Sequence, residues 1–291
     1  FYDRRGSQLF DAITELPEYY PTRTEIAILA EHGSEMAGRL GRVQVLVELG
    51  SGSSLKIQTL LEALAPAVYV PVDISKEHLL ASADALARRF PGLRIEAVCA
   101  DYSGPFELPL RPDWGTPAAF FPGSSIGNFE PAAAARLLRR VADLLGPGGR
   151  LLIGVDLLKD RAVLEAAYND AQGVTADFNL NLLARINREL GAEFDLDAFA
   201  HHAWFNPTPD PRLPDGPGRI EMHLVSQRAQ RVQVAGRVFE LAEGEGIHSE
   251  SSYKYALPGF AQLAASAGFA TEQVWTDPAG LFSVHCLRAA G

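Results

Sequence analysis

The chain has 291 residues, 47% of them hydrophobic and 21% charged, the balance of an ordinary globular protein. Its formal net charge of −10 argues against a general affinity for nucleic acid or anionic lipid. No apolar run reaches the roughly 20 residues that span a bilayer and no secretory signal pattern opens the chain, so neither a membrane nor export is expected and the cytoplasm is. The chain starts at Phe1 rather than methionine, which raises the expectation of a missing leading segment.

In chain order, the first informative stretch is VLVELGSGSS at 45–54. A β-branched, apolar run ends in Glu48, a glycine turn follows at Gly50 and Gly52, and a helical pattern opens at Ser53 or Ser54, either of which can cap it. Strand, glycine turn and helix let backbone N–H groups approach a nucleotide-type ligand. Strands are expected at 44–49, 67–73, 93–99, 117–122 and 150–155, with helices at 54–65, 76–89 and 130–145 between them. That alternation predicts a parallel, doubly wound sheet with ligands at the carboxyl ends of its strands. LLGPGGRLLIGVD (144–156) closes a helix and restarts a strand.

After Asp156 the rhythm changes. Helical patterns at 161–171 and 175–190 follow one another without a strand. NPTPDPRLPDGPG (206–218) is expected as an exposed loop, and the runs at 219–227, 230–241 and 247–256 as an antiparallel meander. A helix at 258–268 and strands at 270–275 and 281–288 resume the first pattern. The domain expectation is therefore 25–159 plus 255–291 for a ligand-binding α/β domain, with 1–24 plus 160–254 as a second, α+β substrate domain. Cys99 and Cys286 sit in apolar runs and are expected as buried free thiols. No metal-ligand spacing occurs among the histidines and cysteines, and no metal is expected.

Three carboxylates fall at successive strand ends. Glu48 precedes the glycine turn; Asp73 in YVPVDIS is placed to accept from ribose hydroxyls; Asp101 in VCADY is placed for an adenine amine, with Tyr102 along the base. The turn reads G-S-G-S-S-L, so Leu55 replaces the third glycine of the dinucleotide fingerprint and a nicotinamide-dependent oxidoreductase is disfavoured. With Asp101 and LGPGG in order, S-adenosylmethionine fits better. Lys56 is a candidate for the cofactor's carboxylate, or a solvated surface lysine.

The opening FYDRRGSQLFDAITELPEYYPTRTE, with VELGSGSS, PVDIS, CADY, GSSIGN, AAYNDAQGVTADFN, INRELGAEFDLDAF, RIEM and SESSYKY through WTDPAGLFS, resembles the histidine Nα-methyltransferases of ergothioneine biosynthesis. The likeness covers essentially the whole chain; Tyr102 stands where phenylalanine is familiar, and a proline-rich stretch lengthens the loop before RIEM. It implies a class I methyltransferase-like, doubly wound, mostly parallel seven-stranded sheet with a second α+β domain, acting as a monomer. It also implies three methyl transfers from S-adenosylmethionine to the α-amine of L-histidine, giving hercynine. Carried over by motif, Tyr19 and Asn128 would hold the α-amine as the catalytic pair, and Asn128 and Tyr168 the α-carboxylate. Gly123 would lie where cofactor and substrate meet. Glu250 and Ser252 would read the imidazole and Met222 pack against it, while Gly50, Lys56, Asp73, Asp101 and Tyr102 would serve the cofactor.

The residue types have their own logic. Strict period-two alternation places 248, 250, 252 and 254 on one strand face, so Glu250 and Ser252 can address one small ligand. Ile220, Met222 and Leu224 form an apolar face, which makes Met222 a wall. Without the resemblance, Glu250 reads first as a cross-strand ion-pair partner, Tyr19 as a loop anchor, and Asn128 as a cap for the helix near Pro131. Alternatives are N-methylation of another aromatic amino acid such as tryptophan, which an acidic residue facing the side chain disfavours, and a silent cofactor-sensing module.

Overall fold

The computed structural model describes residues 3–52, 55–208 and 217–291; the expected Ser53 or Ser54 cap and most of the 206–218 loop lie outside these. Helix α1 (Arg4–Thr14) and α2 (Tyr20–Leu40) lead into β1 (Val45–Leu49), α3 (Leu55–Leu64), β2 (Val68–Asp73), α4 (Lys76–Arg89), β3 (Arg94–Ile95), β4 (Val98–Cys99), β5 (Ala118–Phe121), α5 (Pro131–Leu145) and β6 (Arg150–Asp156). Then come α6 (Arg161–Ala166), α7 (Val174–Leu190), β7 (Phe199–Asn206), β8 (Gly218–Ser226), β9 (Gln230–Val234), β10 (Arg237–Leu241) and β11 (Gly246–Lys254). Helix α8 (Leu257–Ser266), β12 (Phe269–Thr276) and β13 (Phe282–Ala289) end the chain. Two compact units emerge. The smaller takes the chain up to Tyr20, Lys159–Thr208 and Gly218–Ser252; the larger takes Pro21–Leu158 and Tyr253–Gly291. Among the described residues no helix is long and apolar enough to cross a membrane.

The larger unit is a mixed sheet in the order β12-β13-β6-β5-β1-β2-β3, with β4 also paired to β2. Strands β1, β2, β5 and β6 run parallel, and β13 and β12 are antiparallel additions. Every residue of β1 is buried, as a parallel strand covered on both faces requires. Alternation sorts its side chains. Val45, Val47 and Leu49 join Leu137, Leu138 and Val141 of α5 and Phe260 and Leu263 of α8 in one core. Leu46 points the other way, into a core with Ile28, Leu29 and Met36 of α2 and Ile57, Leu60 and Leu61 of α3. Because β1 pairs with β2 on one side and β5 on the other, the chain reverses direction across the sheet beside it. The strand ends at that reversal are where an open α/β sheet binds ligands.

The seven expected strand positions are all occupied, but the run at 93–99 is broken into β3 and β4. This edge has one neighbouring strand, β2, and Cys99 on it is exposed; only Cys286 is the buried thiol expected of both. Covered on one flank only, an edge segment cannot bury every side chain it carries.

The smaller unit departs further from expectation. Strand β7 pairs with β8, and β11 lies on the other side of β8, giving a three-stranded antiparallel sheet. The run at 230–241 does not join it. It folds on itself as the hairpin β9–β10, turning at Ala235 and Gly236, which both have positive φ. The expected meander is thereby replaced, and β7 is a strand the sequence reading passed over. Its HHAWFN pattern carries polar rings where a buried face would show aliphatics. Helix α6 stops at Ala166, short of 171, because Asp170 accepts the N–H groups of Val174 and Thr175 at 2.9 and 2.8 Å and so starts α7. At the amino end, Asp3 caps α1 through Gly6 and takes hydrogen bonds from Asn181 and Arg188 of α7. Burial works against that charge, but these three donors outweigh it and hold the Asp3 carboxyl at about 2.

Candidate active site

In the larger unit the glycine turn after β1 is fastened to the end of β2: the N–H groups of Gly50 and Ser51 both donate to the Val72 carbonyl, at 2.9 and 3.2 Å. Gly50 has φ of 72°, and a Cβ there would lie 3.0 Å from the Tyr102 hydroxyl. Gly50 and Tyr102 are thus neighbours, and the turn is open to a ligand only because residue 50 has no side chain. Tyr102 packs edge-on to Phe121 with ring centroids 5.7 Å apart, and burial raises its hydroxyl pKa well above the usual value. Asp73 and Asp101 stand at the ends of β2 and β4. Burial pushes the Asp73 carboxyl up against one hydrogen bond from the Ser75 N–H, whereas Asp101 is exposed and held down by Ser103. Two carboxylates and an aromatic ring beside a glycine turn supply acceptors and an apolar face of the kind an adenosine ligand needs.

Glu48 has a different place. Its carboxylate is buried and accepts from the Tyr69 hydroxyl, which in turn lies 3.1 Å from Ser51 Oγ. Burial pushes Glu48 up to about 7, despite the opposing hydrogen bonds. It supports the turn from beneath.

Lys56, in the first turn of α3, is not a solvated surface lysine. Its Nζ lies 2.7 Å from Glu25 Oε2, and the Glu25 side chain is fully buried. The same carboxylate accepts the Gly123 N–H, at 2.9 and 3.1 Å to its two oxygens. Gly123 begins the turn after β5 with φ of 76°, and Ser124 follows in the left-handed region at 55°. A non-glycine residue held there is strained, and it is secured: Ser124 Oγ accepts the Asp156 N–H at 2.9 Å. Asp156 forms a buried ion pair with Lys254 at 2.7 Å. A Cβ on Gly127 would come within 2.7 Å of the Tyr253 carbonyl, so this turn lies against the last residues of β11. On it, Asn128 is exposed, and its side chain has no hydrogen-bond partner among the described residues. Helix α5 is preceded by Glu130 with no side-chain cap, which removes the capping role for Asn128.

In the smaller unit Tyr19, Tyr168 and Ser252 come together from three distant segments. Tyr168 donates its hydroxyl to Ser252 Oγ at 2.9 Å, and its ring meets that of Tyr19 edge-on at 6.3 Å. Tyr168 is set by its neighbours. His201 of β7 bonds its carbonyl at 2.8 Å, and Asn169 pairs with both backbone groups of Ala203. Met222 is buried on β8 opposite Ala203, and its carbonyl accepts from Ser249. Glu250 is half-buried on β11. The His248 ring nitrogen lies 3.0 Å from the Glu250 carbonyl and 3.1 Å from Ser251 Oγ, so the ring runs along its own strand. His248 stacks on His223, whose ring stacks on Trp204, on the face of β8 opposite Met222. The pairing of β7 with β8 and β11 also brings Glu221, His223 and His248 within 4.8 Å of one another, a potential ligand set that linear spacing did not contain.

The family profile described as histidine-specific methyltransferase, SAM-dependent, matches residues 1–289. The chain belongs to that family. It is 44% identical over 290 residues to the histidine N-alpha-methyltransferase of Mycolicibacterium smegmatis and 43% identical to that of Mycobacterium tuberculosis, covering 98% of this chain and 87% of each relative. Ergothioneine biosynthesis protein 1 of Neurospora crassa is 31% identical over 94% of this chain and 31% of its own length. Among solved structures, the CcbJ methyltransferase of Streptomyces caelestis aligns over the full length of both chains with a TM-score of 0.54 at 16% identity. The 1,6-didemethyltoxoflavin-N1-methyltransferase of Burkholderia thailandensis aligns over 99% of this chain and 89% of its own with a TM-score of 0.51 at 14% identity. These two likenesses carry the fold alone: a class I methyltransferase-like arrangement with a mostly parallel central sheet.

For a histidine-specific methyltransferase, several residues around the expected ones escaped the sequence reading. Glu25, Tyr69, Asp156 and Lys254 are all buried polar partners of the turns that carry Gly50, Gly123 and Asn128. Their signal in the sequence is faint. A glutamate in a helical run and a lysine at a strand end look like solvated charges until the topology buries them. Gly154 in the middle of β6 was the one available hint, because a strand interior tolerates glycine mainly where another group approaches closely.

Proposed function

We propose that this protein transfers three methyl groups from S-adenosylmethionine to the α-amine of L-histidine, yielding hercynine. What carries the reading is the match of residues 1–289 to the histidine-specific family, with every polar residue that assignment needs present in the chain. S-adenosylmethionine supplies an electrophilic methyl group on a sulfonium. The chain supplies position. In this reading Gly50, Lys56, Asp73, Asp101 and Tyr102 of the larger unit hold the cofactor, with Gly123 beside the transferred methyl. Tyr19 and Asn128 orient the amine, Asn128 and Tyr168 take the carboxylate, and Glu250, Ser252 and Met222 read the ring.

An α-amine must lose its proton before it can attack, and a free amino acid's amine titrates above the roughly pH 8 of a chain terminus. Desolvation beside a positive sulfonium favours the neutral form, and an oriented phenol or amide fixes its lone pair. Alignment of this kind lowers a barrier by up to roughly 7–11 kcal/mol. Repeated transfer turns the amine into a cation with no N–H left, which the faces of Tyr19 and Tyr168 can accommodate by cation–π attraction. A phenol with a pKa of about 10 is a poor general base, so Tyr19 positions rather than deprotonates. We place the reaction in the cytoplasm, on a monomer, with residues 1–24 and 160–254 as the substrate-binding domain.

The deciding experiment supplies S-adenosylmethionine with each standard amino acid in turn and follows methyl gain by mass spectrometry. Successive addition of three methyl groups to histidine alone is expected. Preference for tryptophan or another amino acid would refute the substrate and leave the chemistry standing.

A further inference from the structure

We propose that Glu25 is a positioning residue for the cofactor, acting through Lys56 and the Gly123 turn; the inference rests on the methyltransferase reading above. Glu25 lies in the second turn of α2 and has no exposed side-chain surface. Its carboxylate is the meeting point of three other elements. It takes the Lys56 ammonium from the start of α3 at 2.7 Å and the Gly123 N–H from the turn after β5 at 2.9 Å. From β6 comes a vacated space, since a Cβ on Gly154 would lie 2.1 Å from Glu25 Oε1.

Stability does not account for this arrangement. Taking a carboxylate and an ammonium out of water has a desolvation cost that a matched apolar pair would avoid, and replacing buried ion pairs by apolar groups is often neutral or stabilising. A mid-strand glycine weakens its strand as well. The arrangement fixes in place the first-turn lysine of the helix after the glycine turn and the turn at the end of β5. Gly123 and Lys56 are held as one piece: a Cβ on Gly123 would sit 3.4 Å from Lys56 Nζ. One anion with two acceptor oxygens thus sets the spacing of two groups on the cofactor side, and lysine, long and flexible, needs such an anchor to point one way. Glutamine is a poorer anchor: with its oxygen in the place of Oε2 it removes the charge that holds the ammonium, and its NH2 then stands 3.1 Å from the Gly123 N–H, donor against donor.

The test is calorimetric binding of S-adenosylhomocysteine to the intact protein, its Glu25→Gln, Glu25→Asp and Lys56→Met variants, and the Glu25→Gln/Lys56→Met double variant. Glu25→Gln is expected to weaken binding at least tenfold. Glu25→Asp keeps the charge, and so the fold, but withdraws it by one methylene; an intermediate loss is expected. In the Lys56→Met background, the Glu25→Gln effect should shrink to threefold or less, because a residue acting through Lys56 has little left to position. A purely structural Glu25 would instead lower the melting temperature and leave affinity within twofold of the parent, or the two fold-losses would multiply in full; either result overturns the proposal. If the parent protein itself fails to bind S-adenosylhomocysteine, the methyltransferase reading falls and this inference with it. A parent that binds, with Glu25→Gln and Glu25→Asp unchanged, overturns the inference alone.

Discussion

The two units build recognition from different materials. In the larger unit the groups proposed to hold the cofactor are mostly backbone and short side chains at the ends of adjacent parallel strands, such as the Gly50 turn, Asp73 and Gly123. They stand where any doubly wound sheet puts them, and what this chain adds lies underneath: Glu25 under Lys56, Tyr69 under Glu48, Lys254 beside Asp156. In the smaller unit the groups proposed to read histidine are side chains from segments far apart in the chain: Tyr19, Tyr168, Met222 and Ser252. Among the contacts that arrange them are the 2.9 Å hydrogen bond from Tyr168 to Ser252 and the edge-on contact of the Tyr19 and Tyr168 rings. A scaffold-derived site tolerates many substrates, whereas a side-chain-derived one can be specific to a single amino acid. The contrast predicts that substitutions in the larger unit act on stability and cofactor affinity, and those in the smaller unit on histidine.

The largest expected effect concerns the buried support of the larger unit. The Glu48 carboxyl is raised from an ordinary 4.5 to about 7 by burial. Between those values the native state holds a proton that the unfolded chain has lost, so stability declines as pH rises through that window, by about 3 kcal/mol in all. Glu48→Gln keeps an acceptor for Tyr69 and removes the titration. Denaturant midpoints at about pH 5 and about pH 8 should show the variant gaining on the parent at the higher pH. Equal differences at both would mean that Glu48 is ionised throughout.

Glu250→Ala comes next and tests the other unit. If this carboxylate accepts from the imidazole, its loss removes a charge-assisted hydrogen bond of about 1.5–3 kcal/mol, a fall in histidine affinity of roughly ten- to a hundredfold. Affinity for S-adenosylhomocysteine should be unaffected. Unchanged histidine binding in calorimetry takes Glu250 out of the site and breaks the comparison.

How much of this was legible in the sequence follows the same division. Strand ends, the glycine turn and the αβ alternation were readable because each is local: an apolar run, a glycine, a helical repeat. Strand β7 was not, since its sequence carries His201, His202 and Trp204 where a strand buried on one face usually shows aliphatic residues. The contact of Tyr168 with Ser252 had no signature in the sequence, because it joins residues 84 positions apart. Glu25 was unreadable for another reason: its partners are 31, 98 and 129 positions away, at Lys56, Gly123 and Gly154.

Gly50→Ala gives a smaller, two-part effect in the larger unit. Holding an alanine at φ of 72° costs about 1–2 kcal/mol, and its methyl group would lie 3.0 Å from the Tyr102 hydroxyl. Melting temperature and S-adenosylhomocysteine affinity should both fall. Tyr102→Phe in the same chain should recover part of the loss by removing the contact, leaving the backbone term. A double variant no better than Gly50→Ala would show that backbone strain is the whole cost.

Tyr168→Phe is the finest probe. It keeps the ring and its edge-on packing with Tyr19 and deletes only the hydroxyl that bonds Ser252. One neutral hydrogen bond is worth about 1 kcal/mol, so histidine affinity should drop roughly fivefold through this link alone. If Tyr168 also takes the substrate carboxylate, as proposed, the loss should exceed that figure for histidine and fall back to it for histamine, which lacks the carboxylate but retains the ring. An equal loss for both ligands would confine Tyr168 to holding Ser252 and take the substrate carboxylate away from it.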